Sequence, residues 1–182
     1  MKIKTKRTKT VILSYKVKVK HFEDFILLCS YDRSDIDRFV NLLSKVTEID
    51  KEVFYNLPFQ DLMRFVNELV DSIQSNMNKH PKNAIKVNDR YYKLIDLLNL
   101  PVAFFVDFDL CEKTPSYLLA LCYTETGSYT DERNTIVDER EKVMQNADVI
   151  DYMQLATFFL NWNNFLQKIK TKSKKNILKV KK

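Results

Sequence analysis

A single glycine, Gly127, serves a chain of 182 residues, and that scarcity restricts the available folds more than any other feature. Phosphate-cradling loops and dinucleotide-binding turns use several glycines, because backbone amides must come close to the anion. Neither motif fits this sequence. Few glycines and four prolines also argue against an all-β sandwich, whose many turns consume both residues. With 45% of its residues apolar and 12% aromatic, the chain has enough material for a packed core. The expected class is mainly α with minor β: a single-domain helical bundle carrying an N-terminal strand and one small β-hairpin.

Charge is segregated along the chain. Residues 1–20 hold eight Lys or Arg and no acid, and residues 168–182 hold eight Lys and no acid. The intervening residues 21–167 carry 14 basic and 24 acidic side chains, a net of −10, beneath a whole-chain charge of +6. The expected organisation is therefore a basic N-terminal arm over residues 1–10, one domain over 11–170, and a basic tail over 171–182. The polar, Pro81-containing stretch Asn76 to Asn83 is the natural place for two subdomains to meet, near 76–84. Apolar runs such as Phe25-Ile26-Leu27-Leu28-Cys29 fall far short of the roughly 20 residues that cross a bilayer. Lys16, Lys18 and Lys20 interrupt what would be the apolar part of a signal peptide, so a cytoplasmic protein with no membrane partner is expected. Cys29, Cys111 and Cys122 have no metal or disulfide spacing and read as buried, reduced thiols.

Periodicity then assigns the elements. Val11, Leu13, Tyr15, Val17 and Val19 alternate with polar residues, which predicts a half-buried strand over Val11 to Lys20 with lysines on its outer face. Those lysines serve either to blunt a sheet edge or to meet nucleic acid. A short helix is predicted over His21 to Cys29, and Ser34 with Asp37 reads as a capping box for a second helix with its stripe at Ile36, Phe39, Val40, Leu43 and Val46. Asp50 to Asn56 is a further short helix. Pro58 sits in the first turn of a longer one reaching Met77, with Leu62, Phe65, Val66, Leu69, Val70 and Ile73 on its inner face. Asn88-Asp89 between Ile85-Lys86-Val87 and Arg90-Tyr91-Tyr92 predicts a hairpin. Pro101 opens a helix over Val102 to Leu110, and Thr114-Pro115 opens another through Tyr123, which Gly127 is expected to end. Asp-Glu-Arg recurs at 131–133 and 138–140, seven apart, as a solvated helical face. The last helix, Ala147 to about Lys170, has only a narrow polar stripe at Gln154, Thr157, Asn161, Asn164 and Lys168. A helix so apolar belongs to the core, to a partner surface, or to both.

Catalytic chemistry finds little purchase. His21 and His80 are the only imidazoles, and neither stands in a nucleophile setting. Asp107 and Asp109 are two apart, which on a helix turns them about 200° away from one another, a poor arrangement for a metal. Other acid clusters lack the glycine-bearing loop of a calcium site. No catalytic, cofactor-binding or metal-binding residue is assigned, and no cofactor is expected. Two binding surfaces are. Phe158, Phe159, Trp162 and Phe165 form the candidate partner-binding face, and Lys2, Lys4, Lys6, Arg7, Lys170, Lys172, Lys174 and Lys175 the candidate anion-binding residues. The basic ends suit phosphates, the chain's own acidic body, or an acidic partner, and the β-formers Ile177, Leu178 and Val180 suit strand addition to another chain.

In order along the chain come a basic N-terminal strand, the short helix Phe22-Glu23-Asp24-Phe25-Ile26-Leu27-Leu28, and Leu57-Pro58-Phe59-Gln60-Asp61-Leu62. The hairpin end Tyr91-Tyr92-Lys93-Leu94 then leads into Phe104-Phe105-Val106-Asp107. Tyr117-Leu118-Leu119-Ala120-Leu121-Cys122-Tyr123, an arginine at Arg133 or Arg140, and a closing Phe158-Phe159-Leu160 helix complete the order. This layout resembles small tail-assembly chaperone-like proteins encoded among bacteriophage structural genes. The resemblance implies a non-enzymatic morphogenesis protein, acting in the host cytoplasm or in the virion. Its partners would be phage structural proteins such as tail components, engaged through helical apolar surface, with self-association also open. The Lys-rich C-terminus is not part of that pattern, which leaves open a virion structural or nucleic-acid-binding role for the basic termini.

Overall fold

The structure is a computed structural model and describes residues 2–4, 10–12, 16–31, 35–100, 104, 114–127 and 135–161, with side chains described from residue 16 onward except at 135 and 136. It is mainly helical with minor β structure, as the periodicity predicts.

The basic arm contains the first strand. β1 (Lys2–Lys4) pairs antiparallel with β2 (Thr10–Ile12), in the register Lys2 to Ile12, Ile3 to Val11 and Lys4 to Thr10. Leu13 to Tyr15 lie outside the described residues, and the described part of the expected strand over Val11 to Lys20 is not one continuous strand: β2 covers Val11 and Ile12, while Lys16 and Val17 are in no strand. Alternation nonetheless holds at its end, where Val17 and Val19 are buried and Lys16 and Lys20 exposed. Among the described residues the backbone partner there is the short connection 145–149: the Val149 amide donates to the Val17 carbonyl at 2.8 Å, and the Val19 and Lys20 amides donate to Ala147 and Gln145 at 2.9 and 3.0 Å. A period of two records which side chains face inward, and among the described residues no second full strand extends the ladder there. The chain then makes a 3-10 turn at Val19–His21.

α1 (Phe22–Ser30) buries Phe25 and Leu28. α2 (Ile36–Thr47) packs beside it and buries Phe39, Val40, Leu43 and Val46. Its cap is Asp35, whose carboxylate accepts the Arg38 amide at 3.0 Å, in place of the expected Ser34, which lies outside the described residues. Ile36, expected on the inner stripe, stands 50% exposed at the very start of the helix, ahead of the first buried position. Glu48 closes α2 in the left-handed region at φ 56°. α3 (Lys51–Tyr55) is capped by Asp50 and presses Phe54 against Phe65 of α4 (Phe59–Met77), with ring centroids 5.9 Å apart. Pro58 is the residue that caps α4, and Leu62, Phe65, Val66, Leu69 and Ile73 are buried, with Val70 partly so.

After the loop 78–83, β3 (Ala84–Val87) and β4 (Arg90–Leu94) form the predicted hairpin. Asn88 and Asp89 take φ of 47° and 64°, the two left-handed positions a tight hairpin turn needs. Of the helix expected over Val102 to Leu110, only Phe104 is described; it is helical and fully buried. Asp107, Asp109 and Cys111 lie outside the described residues. α5 (Pro115–Cys122) has Thr114 as its cap, with the hydroxyl accepting the Tyr117 amide.

The expectation that Gly127 ends this helix is not met. The chain leaves the helix at Tyr123 and becomes β5 (Tyr123–Thr124), the third strand of the sheet, paired with β4 through Leu94 to Tyr123 and Lys93 to Thr124. Gly127 serves the turn beyond it. Its φ is +77°, its amide donates to the Thr124 hydroxyl at 2.9 Å, and a Cβ there would meet Lys93 Cβ at 3.1 Å. α6 (Thr135–Met144) and α7 (residues 149–161) complete the described chain. Of the two Asp-Glu-Arg copies, 131–133 lies outside the described residues. In the second, Asp138 and Glu139 are exposed, but Arg140 is partly buried with its guanidinium 3.5 Å from the Tyr123 carbonyl. That copy is thus partly a contact between α6 and β5, and next to it Glu141 accepts the hydroxyls of Thr114 and Ser116.

Candidate functional site

α7 and the 78–83 loop are fastened together by a polar clasp. Lys82 Nζ reaches Asp151 Oδ1 at 2.6 Å, and Asp151 is only 5% exposed. Tyr123 is fully buried and donates its hydroxyl to the Lys82 carbonyl at 2.9 Å. Burial, and next the Asp151 carboxylate, push the Tyr123 phenol well above its ordinary range, so it remains a hydrogen-bond donor at any physiological pH. Asp148 accepts the Ile150 amide at the start of α7, and its carboxyl is raised chiefly by burial.

Above the clasp lies a cavity of about 380 Å³. One wall is Asn78, Lys79, His80 and Pro81 of the loop; the other is Gln154, Thr157, Phe158 and Asn161 of α7. The α7 positions are spaced 3, 4 and 7 apart and so share one helical face. Gln154, which the sequence places in a polar stripe, is buried at 3% exposure. Its Nε2 donates to the Asn76 carbonyl at 3.0 Å, while its Oε1 has no partner among the described residues.

The predicted partner-binding residues separate here. Phe158 lines the cavity, whereas Phe159 turns toward the core and stacks on buried Phe104 at 6.0 Å, with the two phenylalanines edge to face at 5.6 Å. Trp162 and Phe165 lie outside the described residues. Sequence reading missed a second apolar surface, on α1. There Ile26 and Leu27 are 46% and 55% exposed, and Cys29, expected to be buried, is exposed as well. The signal was present in the run Phe25 to Cys29: five apolar residues in a row cover more of a helix's circumference than a single packed stripe hides. Cys122 is fully buried, and burial pushes its thiol up.

The basic residues behave differently at the two places that are described. Lys2 and Lys4 occupy β1. Lys6, Arg7, Lys170, Lys172, Lys174 and Lys175 lie outside the described residues. Of the lysines that alternate through 16–20, Lys18 and Lys20 both bind Glu48, at 2.5 and 2.6 Å, and His21 Nε2 approaches the same carboxylate at 3.3 Å. Lys18 first, then Lys20, hold Glu48 down to about 2. Two lysines of that segment are therefore matched by an acid within the chain. His21 belongs to this ion cluster and His80 to the α7 cavity. Among the described residues no group of three or more His, Cys, Asp or Glu is arranged to hold a metal, and no helix is long and apolar enough to cross a membrane.

Compared with protein-family models, curated proteins and solved structures, the chain matches none.

Proposed function

We propose that this protein is a non-enzymatic bacteriophage morphogenesis factor, chaperone-like in tail assembly, that holds other phage structural proteins through apolar helical surface. The observation that carries the reading is α1. Its nine residues bury Phe25 and Leu28 on one side and leave adjacent Ile26 and Leu27 about half exposed on the other. Adjacent large apolar side chains left to water mark an interaction face more often than isolated ones do. The phage assignment rests on the order of short motifs along the sequence.

The competing reading, a virion structural or nucleic-acid-binding protein, is favoured by the sixteen basic residues of the two ends. The two readings differ in salt dependence. Phosphate binding weakens steeply as salt rises, whereas apolar association does not. DNA binding by the full chain and by a chain lacking residues 1–9 and 171–182 is therefore to be followed across a salt series. The assembly-factor reading expects weak or no binding in either form. Tight, tail-dependent and steeply salt-sensitive binding would replace it with the nucleic-acid reading.

A further inference from the structure

The surface where the start of α2 meets the end of α3 is apolar at its centre and acidic at its rim. Ile36 is 50% exposed and Tyr55 43%, and the two are brought together by the Tyr55 hydroxyl, which donates to Asp37 Oδ1 at 3.1 Å. Phe59, 58% exposed, follows four residues after Tyr55 at the start of α4. Large apolar side chains grouped in this way and rimmed by polar residues mark a contact surface. The rim is Asp35, Asp37, Asp50 and Glu52, all exposed. Partial desolvation first, and then the Asp37 bond and the charges of Asp37, Glu52 and Asp35, push the Tyr55 phenol above its ordinary value, so three carboxylates stand within electrostatic reach of the ring. None of the four acids has an ion-pair partner among the described residues. Of the cations beside them in sequence, Arg38 lies over the Tyr31 ring at 5.4 Å, and four acids against Arg38 and Lys51 leave a net of −2. The complement of such a face is a segment that sets lysines among aliphatic residues.

The chain supplies one. Residues 168–182 hold eight lysines and no acid, with Ile177, Leu178 and Val180 set among Lys174, Lys175, Lys179 and Lys181. The N-terminal arm is basic too, but β1 and β2 pair with one another, and Lys18 and Lys20 are held by Glu48. Length permits the contact. α4 is about 28 Å long, and its far end is bonded to α7 through Asn76 and Gln154, so Asn161 lies within about 50 Å of Phe59. Ile177 is sixteen residues beyond Asn161, about 53 Å of extended chain. We propose that the basic tail, residues 171–182, folds back on this face, with its lysines pairing Asp35, Asp37 and Glu52 and its aliphatic residues covering Ile36 and Tyr55. A tethered segment is present at an effective concentration in the millimolar range, which favours the chain's own tail over a free partner of the same chemistry. Exposed ion pairs are individually weak, so the contact is a reversible latch that salt opens. The latch goes beyond the assembly reading and does not depend on it; while shut, it withholds the tail's lysines from phosphate.

The test uses the purified full-length protein with a photoreactive phenylalanine analogue at Leu178, irradiated when dilute and at low salt, with the adducts mapped by mass spectrometry. Adducts within one chain, concentrated on residues 35–37 and 52–59, are expected. Their yield should fall at least about threefold in the double variant Asp37→Asn with Glu52→Gln, the effect of removing two exposed charge partners. Raising salt from about 20 mM to about 0.5 M should lower it likewise, because the screening length shrinks below the spacing of the paired charges and their neighbours. Lys174→Glu with Lys175→Glu leaves the sequence of the folded body intact and should give the same loss, so a folding defect in the first variant cannot stand in for the result. Adducts scattered over the acidic body without preference for this face would overturn the proposal, as would no adducts, or a yield that neither double variant changes. Adducts that join two chains would also overturn it, making the face a contact between copies. No partner protein is present in this experiment, so its failure leaves the α1 assignment standing, and loss of the α1 role leaves the latch standing.

Discussion

Replacing Gln154 by methionine should make the free protein more stable, although the residue is a buried polar group with a hydrogen bond. Methionine has nearly the same length and shape, so side-chain ordering and packing change little. What is lost is the bond from Nε2 to the Asn76 carbonyl, about 0.5–1.5 kcal/mol net. That carbonyl is not left stranded, because the backbone amides of Asn78 and Lys79 also donate to it, the latter at 3.2 Å. What is gained is relief of the partnerless Oε1, about 1–3 kcal/mol. The balance favours the variant by about 1 kcal/mol, which for a chain of this size is a rise of roughly 2–4 °C in Tm. Urea titration at neutral pH with a parallel thermal melt reads this directly, with an unchanged urea m-value confirming that the unfolded state is not the cause. A loss of 1 kcal/mol or more would refute the reasoning. It would mean that Oε1 is already satisfied in the free protein, by ordered water for instance, and that Gln154 is a structural residue.

Three further outcomes follow from single contacts. Tyr123→Phe removes the hydroxyl that serves the Lys82 carbonyl and should cost about 1–2 kcal/mol in urea titration; a change within error would mean that the clasp contributes nothing. Gly127→Ala places a Cβ at φ +77° and 3.1 Å from Lys93 Cβ, so a loss of about 1–3 kcal/mol is expected, with a neutral result showing that the turn relaxes freely. Glu48 is held down to about 2, below an ordinary glutamate near 4.5, so its contribution is fully present above pH 4.5 and is lost as pH falls through about 2. The stability gap between wild type and Glu48→Gln should accordingly close across that window, from a size kept to about 1 kcal/mol or less by exposure; a pH-independent gap would disprove the ion-pair origin.

Local signals read well from this sequence where one residue type answers one backbone demand. Asn88-Asp89 marked a tight hairpin, and Thr114-Pro115 and Asp50 marked helix starts, because turn geometry and unpaired helix-terminal amides are satisfied nearby in sequence. What the sequence concealed depends on distant partners. Tyr123-Thr124 continues an apolar helical run and becomes a strand because β4 offers it hydrogen bonds. Val11 to Lys20 has strand periodicity, but among the described residues its far half pairs with the short 145–149 connection rather than with a full strand. Gln154 reads as one member of a polar stripe, and only the loop folding over α7 makes it a buried group with an unmet acceptor. The face itself was legible, since Gln154, Thr157, Phe158 and Asn161 have helical spacing. Its opposite wall, Asn78 to Pro81, was visible only as a loop.

The central claim, that this chain works by holding another structural protein on its apolar helical surface, is tested most directly by photo-crosslinking inside cells. A photoreactive phenylalanine analogue is placed at Leu27, at Phe158 and, as a control, at exposed Asn67 on α4, in cells that also express a set of phage tail structural genes. Adducts from Leu27 and Phe158 to one virion structural protein, identified by mass spectrometry and absent from Asn67, are the predicted result. Silence at both positions, while tail-dependent complexes with DNA form in the same cells, would contradict it.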